Sequence, residues 1–280
     1  KFAVADDEAL VLTENWKPAG TGGRSSRGWG VRIRSERTAD ALASVFAHDA
    51  DGIDAIPWRE RRRNASFVEV DPASGSYDTA FEPASVEVEN VRVLTAPGNA
   101  GNATRRSIET ANDTIDVISP RLDPSGPYFE ALVAAAERGV DVRILLSNAW
   151  YDEESNRELV DHVDRLRDRG LPIEARIARP ADRFEKIHAK GALIDGRTVL
   201  LGSLNWNRHA ARENREVVVA LRGEEPASYY GRTFESDWEA AAGGAGPGVD
   251  EWRLHATLAA GALAAVVLAG FVLRRTVEFE

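Results

Sequence analysis

His188-Ala189-Lys190-Gly191-Ala192-Leu193-Ile194-Asp195, followed after six residues by Gly202-Ser203-Leu204-Asn205, is the stretch on which the fold turns. Ile187 to Ile194 has the apolar content of a buried strand, and Thr198 to Leu201 that of its neighbour. Alternate side chains of a strand share a face, so His188 and Lys190 project together. Past the tight turn at Gly202, Ser203 and Asn205 offer hydrogen-bond donors to the same spot. An imidazole, an ammonium and neutral donors converging on one point suit an anionic group, whose charge such a site would cancel.

Working outward, a second copy of the pattern stands at the start of the sequence. Lys1-Phe2-Ala3-Val4-Ala5-Asp6 repeats the pacing of Lys190 to Asp195, and Asn15-Trp16 answers Asn205-Trp206. Each copy leads into a short strand (Val31 to Ile33, or Val217 to Leu221) and then a helix, so two pseudo-equivalent lobes are expected.

The full pattern, His-x-Lys-x4-Asp-x6-Gly-Ser-x-Asn, resembles the HKD motif of the phospholipase D superfamily. The resemblance implies an α/β fold, a two-lobed sandwich of mixed sheets flanked by helices with the first lobe incomplete. It also implies one pocket to which each lobe lends a motif. Its chemistry is phosphodiester cleavage: one histidine attacks phosphorus to give a phosphohistidine, a second protonates the leaving oxygen, and water then enters, with no metal or other cofactor. Carried over residue by residue, His188 is one of the two histidines. Lys190, Ser203 and Asn205 are phosphate ligands of its lobe, and Lys1 and Asn15 are those of the other. Asp6 and Asp195 match the motif aspartate, expected to brace the fold. Glu216 matches an acid that accepts a hydrogen bond from the histidine ring, fixing its tautomer and raising its basicity. Two departures stand out. The first lobe reads Thr13-Glu14-Asn15 where Gly-Ser-x-Asn is expected, and Gly28-Trp29-Gly30 where the second lobe has Arg215-Glu216-Val217. The partner histidine falls two positions ahead of Lys1, outside the sequence.

Between and beyond the motifs, residues 114–222 alternate strand and helix periods. Strands are predicted at Thr114 to Ser119, Val140 to Leu146 and Ile173 to Ile177, and helices at Tyr128 to Arg138, Glu153 to Arg169 and Pro226 to Ala242. Six segments are expected: residues 1–59 as the end of the first lobe, 60–110 as an inter-lobe connection, 111–242 as the second lobe, 243–255 as a flexible linker, 256–273 as a transmembrane helix and 274–280 as a cytoplasmic tail. The anchor rests on an 18-residue run without charge from Ala256 to Leu273, followed by Arg274-Arg275. A positive flank stays cytoplasmic, which predicts a single-pass membrane protein with its catalytic part outside.

Composition narrows the rest. The 280 residues hold 45 acidic and 35 basic side chains, with only four lysines and no cysteine. Lack of thiols removes disulfides and thiolate chemistry, and an acidic, lysine-poor chain suits very concentrated salt. Excess acid normally disfavours a nucleic-acid partner, but the screening length shrinks to about 3 Å in 1 M salt. The expected partner is therefore a phosphodiester, nucleic acid first and phospholipid as the alternative through hydrolysis or phosphatidyl transfer. A surface module that has lost the chemistry is the third reading. Both lobes come from one chain, so no obligate oligomer is required. Trp16, Trp206 and Asn148-Ala149-Trp150-Tyr151 are candidates to line the substrate.

Overall fold

The computed structural model describes residues 1–21, 25–52, 55–66, 81–180 and 183–242. In chain order these form β1 (Phe2–Ala5), β2 (Glu8–Leu12), α1 (Pro18–Thr21), β3 (Ser26–Arg27), β4 (Gly30–Arg34), α2 (Glu36–Ala50) and α3 (Trp58–Arg63). There follow β5 (Asn90–Ala96), α4 (Ala100–Glu109), β6 (Thr114–Ser119), α5 (Pro127–Glu137), β7 (Asp141–Leu146), α6 (Glu153–Asp168) and β8 (Ile173–Ile177). The last are β9 (Lys186–Ile187), β10 (Gly191–Ile194), β11 (Thr198–Gly202), α7 (Arg208–Arg212), β12 (Glu216–Arg222) and α8 (Glu224–Ala242).

The large sheet has the order β5-β12-β11-β10-β6-β7-β8. β6, β7 and β8 run parallel and the remaining pairs antiparallel, so the sheet is mixed. Parallel strands must be covered on both faces, and the sequence supplies covers for each. α5 starts on Pro127, whose fixed φ suits the first helical turn, and is released by Gly139 at φ 92°. α6 ends the same way at Gly170. Leu132 of α5 and Leu159 and Val163 of α6 pack with Ile144 and Leu146 to make the core on this face.

On the opposite face lie α8 and the first-lobe sheet, the three antiparallel strands β1-β2-β4. Val11, Trp29, Ile33 and Leu42 join Val199, Leu201, Val217, Phe234 and Trp238 in a single apolar cluster. The lobes therefore share a core, within one unit spanning Lys1–Ala241. A two-residue parallel ladder, Ser26 to Lys186 and Arg27 to Ile187, stitches them together.

Three expectations change. The strand anticipated across Ile187 to Ile194 is broken: β9 stops at Ile187 and β10 starts at Gly191. The intervening residues are held from the other lobe, with the N–H groups of His188 and Ala189 donating to Arg27 O at 3.0 and 2.9 Å. The stretch taken as a connection, 60–110, contributes β5 and α4 to the main domain, because β12 takes β5 as its outer partner over seven residues. Finally, the fold class is corrected at its membrane element. No helix among the described residues is long and apolar enough to cross a membrane. The segment 256–273 assigned to that role lies outside the described residues, as do 243–255 and 274–280. The single-pass location with an extracytoplasmic catalytic part was derived from that helix and is withdrawn with it. The fold itself is a mixed-sheet α/β domain flanked by helices.

Candidate active site

Lys1 and Lys190, 189 positions apart in the sequence, lie in one electrostatic neighbourhood. Lys190 is 2% exposed and its Nζ donates to His188 O at 2.6 Å. Burial drives its pKa down to about 7; the Lys1 charge pushes the same way, while Glu14, Glu216 and Asp152 oppose. Lys1 is likewise lowered, by burial first, against the pull of Glu216 and Glu14. A buried ammonium with no carboxylate within ion-pair distance is costly and asks for an anion.

His188 faces this neighbourhood with its Nδ1 3.1 Å from Glu14 Oε2. Both groups are largely removed from water, and the contact is an ion-pair approach: neither Nδ1 nor the second carboxylate oxygen, Oε1, has a hydrogen-bond partner among the described residues. The sequence reading gave the His188 ring to Glu216. In the structure Glu216 lies 8% exposed, its Oε1 accepting from Asn214 Nδ2 at 3.1 Å and its charge acting on Lys1 and Lys190. Glu14, noticed only as a departure from the expected motif, is the acid that reaches the imidazole.

The two hairpins explain how. β1 pairs with β2 around Asp6-Asp7, and β10 with β11 around Asp195-Gly196-Arg197; Asp6 and Asp195 both adopt a left-handed backbone, φ 52° and 51°. Ser203 exchanges bonds with Val217, its N–H donating to Val217 O at 2.8 Å and its Oγ accepting from Val217 N at 3.1 Å. Thr13 does the same with Trp29, at 3.0 and 2.9 Å. Thr13 thus corresponds to Ser203, Glu14 to Leu204 and Asn15 to Asn205. Trp29 corresponds to Val217, so Gly28 takes the position of Glu216, one place on from the sequence pairing.

Among the other assigned residues, Asp195 accepts backbone N–H groups from Asn112, Asp113 and Thr114 at 2.9 to 3.2 Å, tying the hairpin tip to the start of β6. Asn15 and Asn205 are half-buried, each with its carbonyl taken by the backbone two residues on. Ser203 Oγ, buried, keeps its proton free to donate elsewhere. Trp206 is buried against Tyr128, while its counterpart Trp16 is exposed.

Two features escaped the sequence. Arg27, whose carbonyl holds His188, has its guanidinium 2.8 Å from buried Asp237 of α8, which also takes Arg183 at 2.7 Å. Only Arg27's neighbourhood to a glycine-rich stretch hinted at a role. Asp152, opening α6, has its pKa raised by burial against the opposing charges of Arg121, Lys190, His188 and Lys186, which puts the loop after β7 beside the cleft. That loop carries Trp150, 85% exposed, and Tyr151, over whose ring Lys186 Nζ lies at 5.5 Å.

Residues 104–238 match a family model described as "Cardiolipin synthase, PLD-like domain". The mitochondrial cardiolipin hydrolase of Chlamydomonas reinhardtii is 30% identical over 102 residues, 36% of this chain and 41% of that protein. A cardiolipin synthase of Listeria welshimeri is 31% identical over 116 residues, 41% of this chain and 23% of that protein. The chain therefore spans less than half the length of these relatives. Among solved structures, the phosphatidylserine synthase of Haemophilus influenzae superposes with a TM-score of 0.56 at 18% identity, covering 86% of this chain and 60% of that one, a likeness of fold.

Proposed function

We propose, from the premise that the chain belongs to the phospholipase D superfamily, that it is a phosphodiesterase with His188 as nucleophile. The observation that carries this reading is the meeting of the two motifs: Lys190, whose charge is opposed by burial first and then by Lys1, feels Glu14 of the first lobe, and Glu14 lies 3.1 Å from His188. With Nδ1 turned to Glu14, the other ring nitrogen, Nε2, is free to attack. The Nε2–P bond forms as the bond from phosphorus to the leaving oxygen breaks. The leaving oxygen takes a proton from a second histidine, which the resemblance implies two positions ahead of Lys1, on the side that Glu216 serves. Water then cleaves the phosphohistidine. Lys1 and Lys190 carry the charge of the non-bridging oxygens, with Ser203, Asn15 and Asn205 as neutral donors. Asp6 and Asp195 shape the two hairpins. Both halves of the pocket come from one chain, which supports a working monomer.

For the substrate, the exposed rings of Trp16, Trp150 and Tyr151 favour nucleic acid. Base stacking on such rings contributes about 1–3 kcal/mol per base. Concentrated salt, to which the acidic, lysine-poor composition is suited, would screen the repulsion between that surface and a polyanion. Phospholipid is the second reading, favoured by the cardiolipin enzymes among the relatives. The full-length protein, incubated in high salt with a labelled single-stranded oligonucleotide and with cardiolipin vesicles, separates them. A shortened oligonucleotide beside intact lipid supports the nuclease, and the converse assigns the lipid. Cleavage of either that persists in His188→Asn overturns the site.

A further inference from the structure

Each lobe sets a glycine opposite a larger residue across a strand pair, but the partners are reversed. In the second lobe Gly202 faces Val218 across the strand pair, and a Cβ on Gly202 would come 2.1 Å from Val217 O. In the first lobe the corresponding pair is Leu12 and Gly30, and a Cβ on Gly30 would meet Leu12 Cδ2 at 2.7 Å. In the next pair along it is the carboxylate that changes sides. In the second lobe the acid, Glu216, is on the strand and the loop carries Leu204. In the first lobe the loop carries Glu14 and the strand carries Gly28, where a Cβ would lie 2.3 Å from Glu14 Cγ and 2.5 Å from Oε1. The carboxylate of Glu14 thus occupies the space that a side chain on Gly28 would fill.

We propose that the acid positioning His188 is supplied from the loop after β2 instead of the following strand. Glu14 is the positioning residue, and Gly28 is the compensating change that lets it reach Nδ1. The inference rests on His188 being the nucleophile. Its content is new relative to that reading: it assigns which acid serves His188 and makes the Gly-Trp-Gly segment part of the active-site design. Its geometry stands on the 3.1 Å approach, on the Glu14 oxygen that has no second partner, and on the overlap at Gly28. Gly28 does not have a positive φ, so the requirement for glycine there is one of space alone.

A swap tests this directly. Glu14→Leu installs the residue that the second lobe carries at this place, and Glu14→Leu with Gly28→Glu rebuilds the whole second-lobe arrangement. Loss of a group that orients a reacting imidazole typically costs about 10- to 100-fold in activity. Glu14→Leu is expected to fall by that factor and the double variant to recover most of it. Gly28→Ala, which keeps the carboxylate but displaces it, should fall similarly. The chain has five histidines, so 15N resonances of His188 are assignable by comparison with His188→Asn. At about pH 8, where an ordinary imidazole is neutral, the parent protein and the double variant should hold the Nδ1–H tautomer. Glu14→Leu should shift toward Nε2–H. A merely structural Glu14 would leave the tautomer unmoved in every variant. An unchanged tautomer in both Glu14→Leu and Gly28→Ala, or a double variant no better than Glu14→Leu, overturns the proposal. Activity surviving in His188→Asn overturns instead the reading beneath it, and the tautomer measurement still decides the role of Glu14.

Discussion

In the second lobe Gly202 on β11 stands opposite Val218 of β12, and Leu204 on the loop answers Glu216 on the strand; in the first, Leu12 and Glu14 are on β2 and its loop, and the glycines, Gly28 and Gly30, flank Trp29. The two lobes fill equivalent spaces from opposite strands. What is kept between them is one glycine in the first pair and one carboxylate in the next, not the position of either. Close packing limits the exchange, since a core resists net overfilling. The carboxylates also cross over: the first lobe's Glu14 serves the second lobe's His188, while the second lobe's Glu216 acts on Lys1. Each lobe therefore depends on the other for its charge balance, in keeping with the core they share.

The most forceful way to break the comparison is to remove the nucleophile. His188→Asn should lower phosphodiester cleavage by about 10^4-fold or more, as loss of a covalent nucleophile does elsewhere, with the unfolding midpoint little changed. A drop of tenfold or less would mean that the hairpins are equivalent in shape without sharing a reaction. Next comes the junction between lobes. Asp237 is 1% exposed and is within 2.8 Å of both Arg27 and Arg183. Asp237→Ala leaves two guanidinium groups facing each other without their acid, and removing one partner of a buried pair costs about 3–5 kcal/mol. Denaturant unfolding measures it. A cost below 1 kcal/mol would show the lobes to be held by apolar contact alone.

The second motif was legible because all its parts lie within one short, ordered run, from His188 through Asn205 to Glu216. Asp195, which the resemblance matches to a bracing aspartate, accepts three backbone N–H groups. The crossover was not legible. Glu14 and Gly28 look like two separate defects in the sequence, and only three-dimensional packing reveals that one fills the gap left by the other. The pairing of Gly28 with Glu216 was displaced by one residue because the connections between the loop and the strand differ in length in the two lobes. The interruption at His188 to Lys190 was hidden by its apolar setting, which reads like continuous strand. A strand or two was expected within residues 60–110, but the Pro-, Gly- and Ser-rich residues before β5 hid that it is the long outer partner of β12. The membrane helix illustrates the opposite error, a segment read from an uncharged run and its flanking charges, whereas no helix among the described residues is long and apolar enough to cross a membrane.

Glycine-to-alanine changes sharpen the reversal of bulk. At Gly202 the new Cβ meets backbone, Val217 O at 2.1 Å and Val218 Cα at 2.7 Å, which cannot rotate away. At Gly30 it meets the end of the Leu12 side chain, at 2.7 Å. Overpacking costs typically run from about 1 to 3 kcal/mol, so Gly202→Ala belongs at the upper end and Gly30→Ala at the lower. Trimming Leu12 to Ala in the Gly30→Ala protein should recover part of the Gly30→Ala loss, visible as non-additivity in a double-mutant cycle. Additive costs would mean that the two residues do not share the space.

The last effect concerns the charge that the lobes hold in common, and its sign can be worked out. Lys190 in the folded protein has its pKa lowered from 10.5 to about 7, with burial the main cause and Lys1 adding to it. Above pH 7 the free site is therefore increasingly neutral, whereas a bound anion favours the protonated ammonium and raises that pKa again. Binding an anion of fixed charge, such as sulfate, must then take up a proton. Affinity should be greatest below pH 7 and weaken by up to about tenfold per pH unit, or 1.4 kcal/mol, as the pH rises toward 9. Measuring this in His188→Asn removes the imidazole from the titration, and calorimetry at pH 8 in two buffers of different ionisation enthalpy counts the proton. Lys190→Met should flatten most of the dependence, leaving the share that Lys1, lowered in the same direction, contributes. Sulfate affinity independent of pH across this range would mean that the two ammonium groups do not act on one anion, and the site would then be two half-sites.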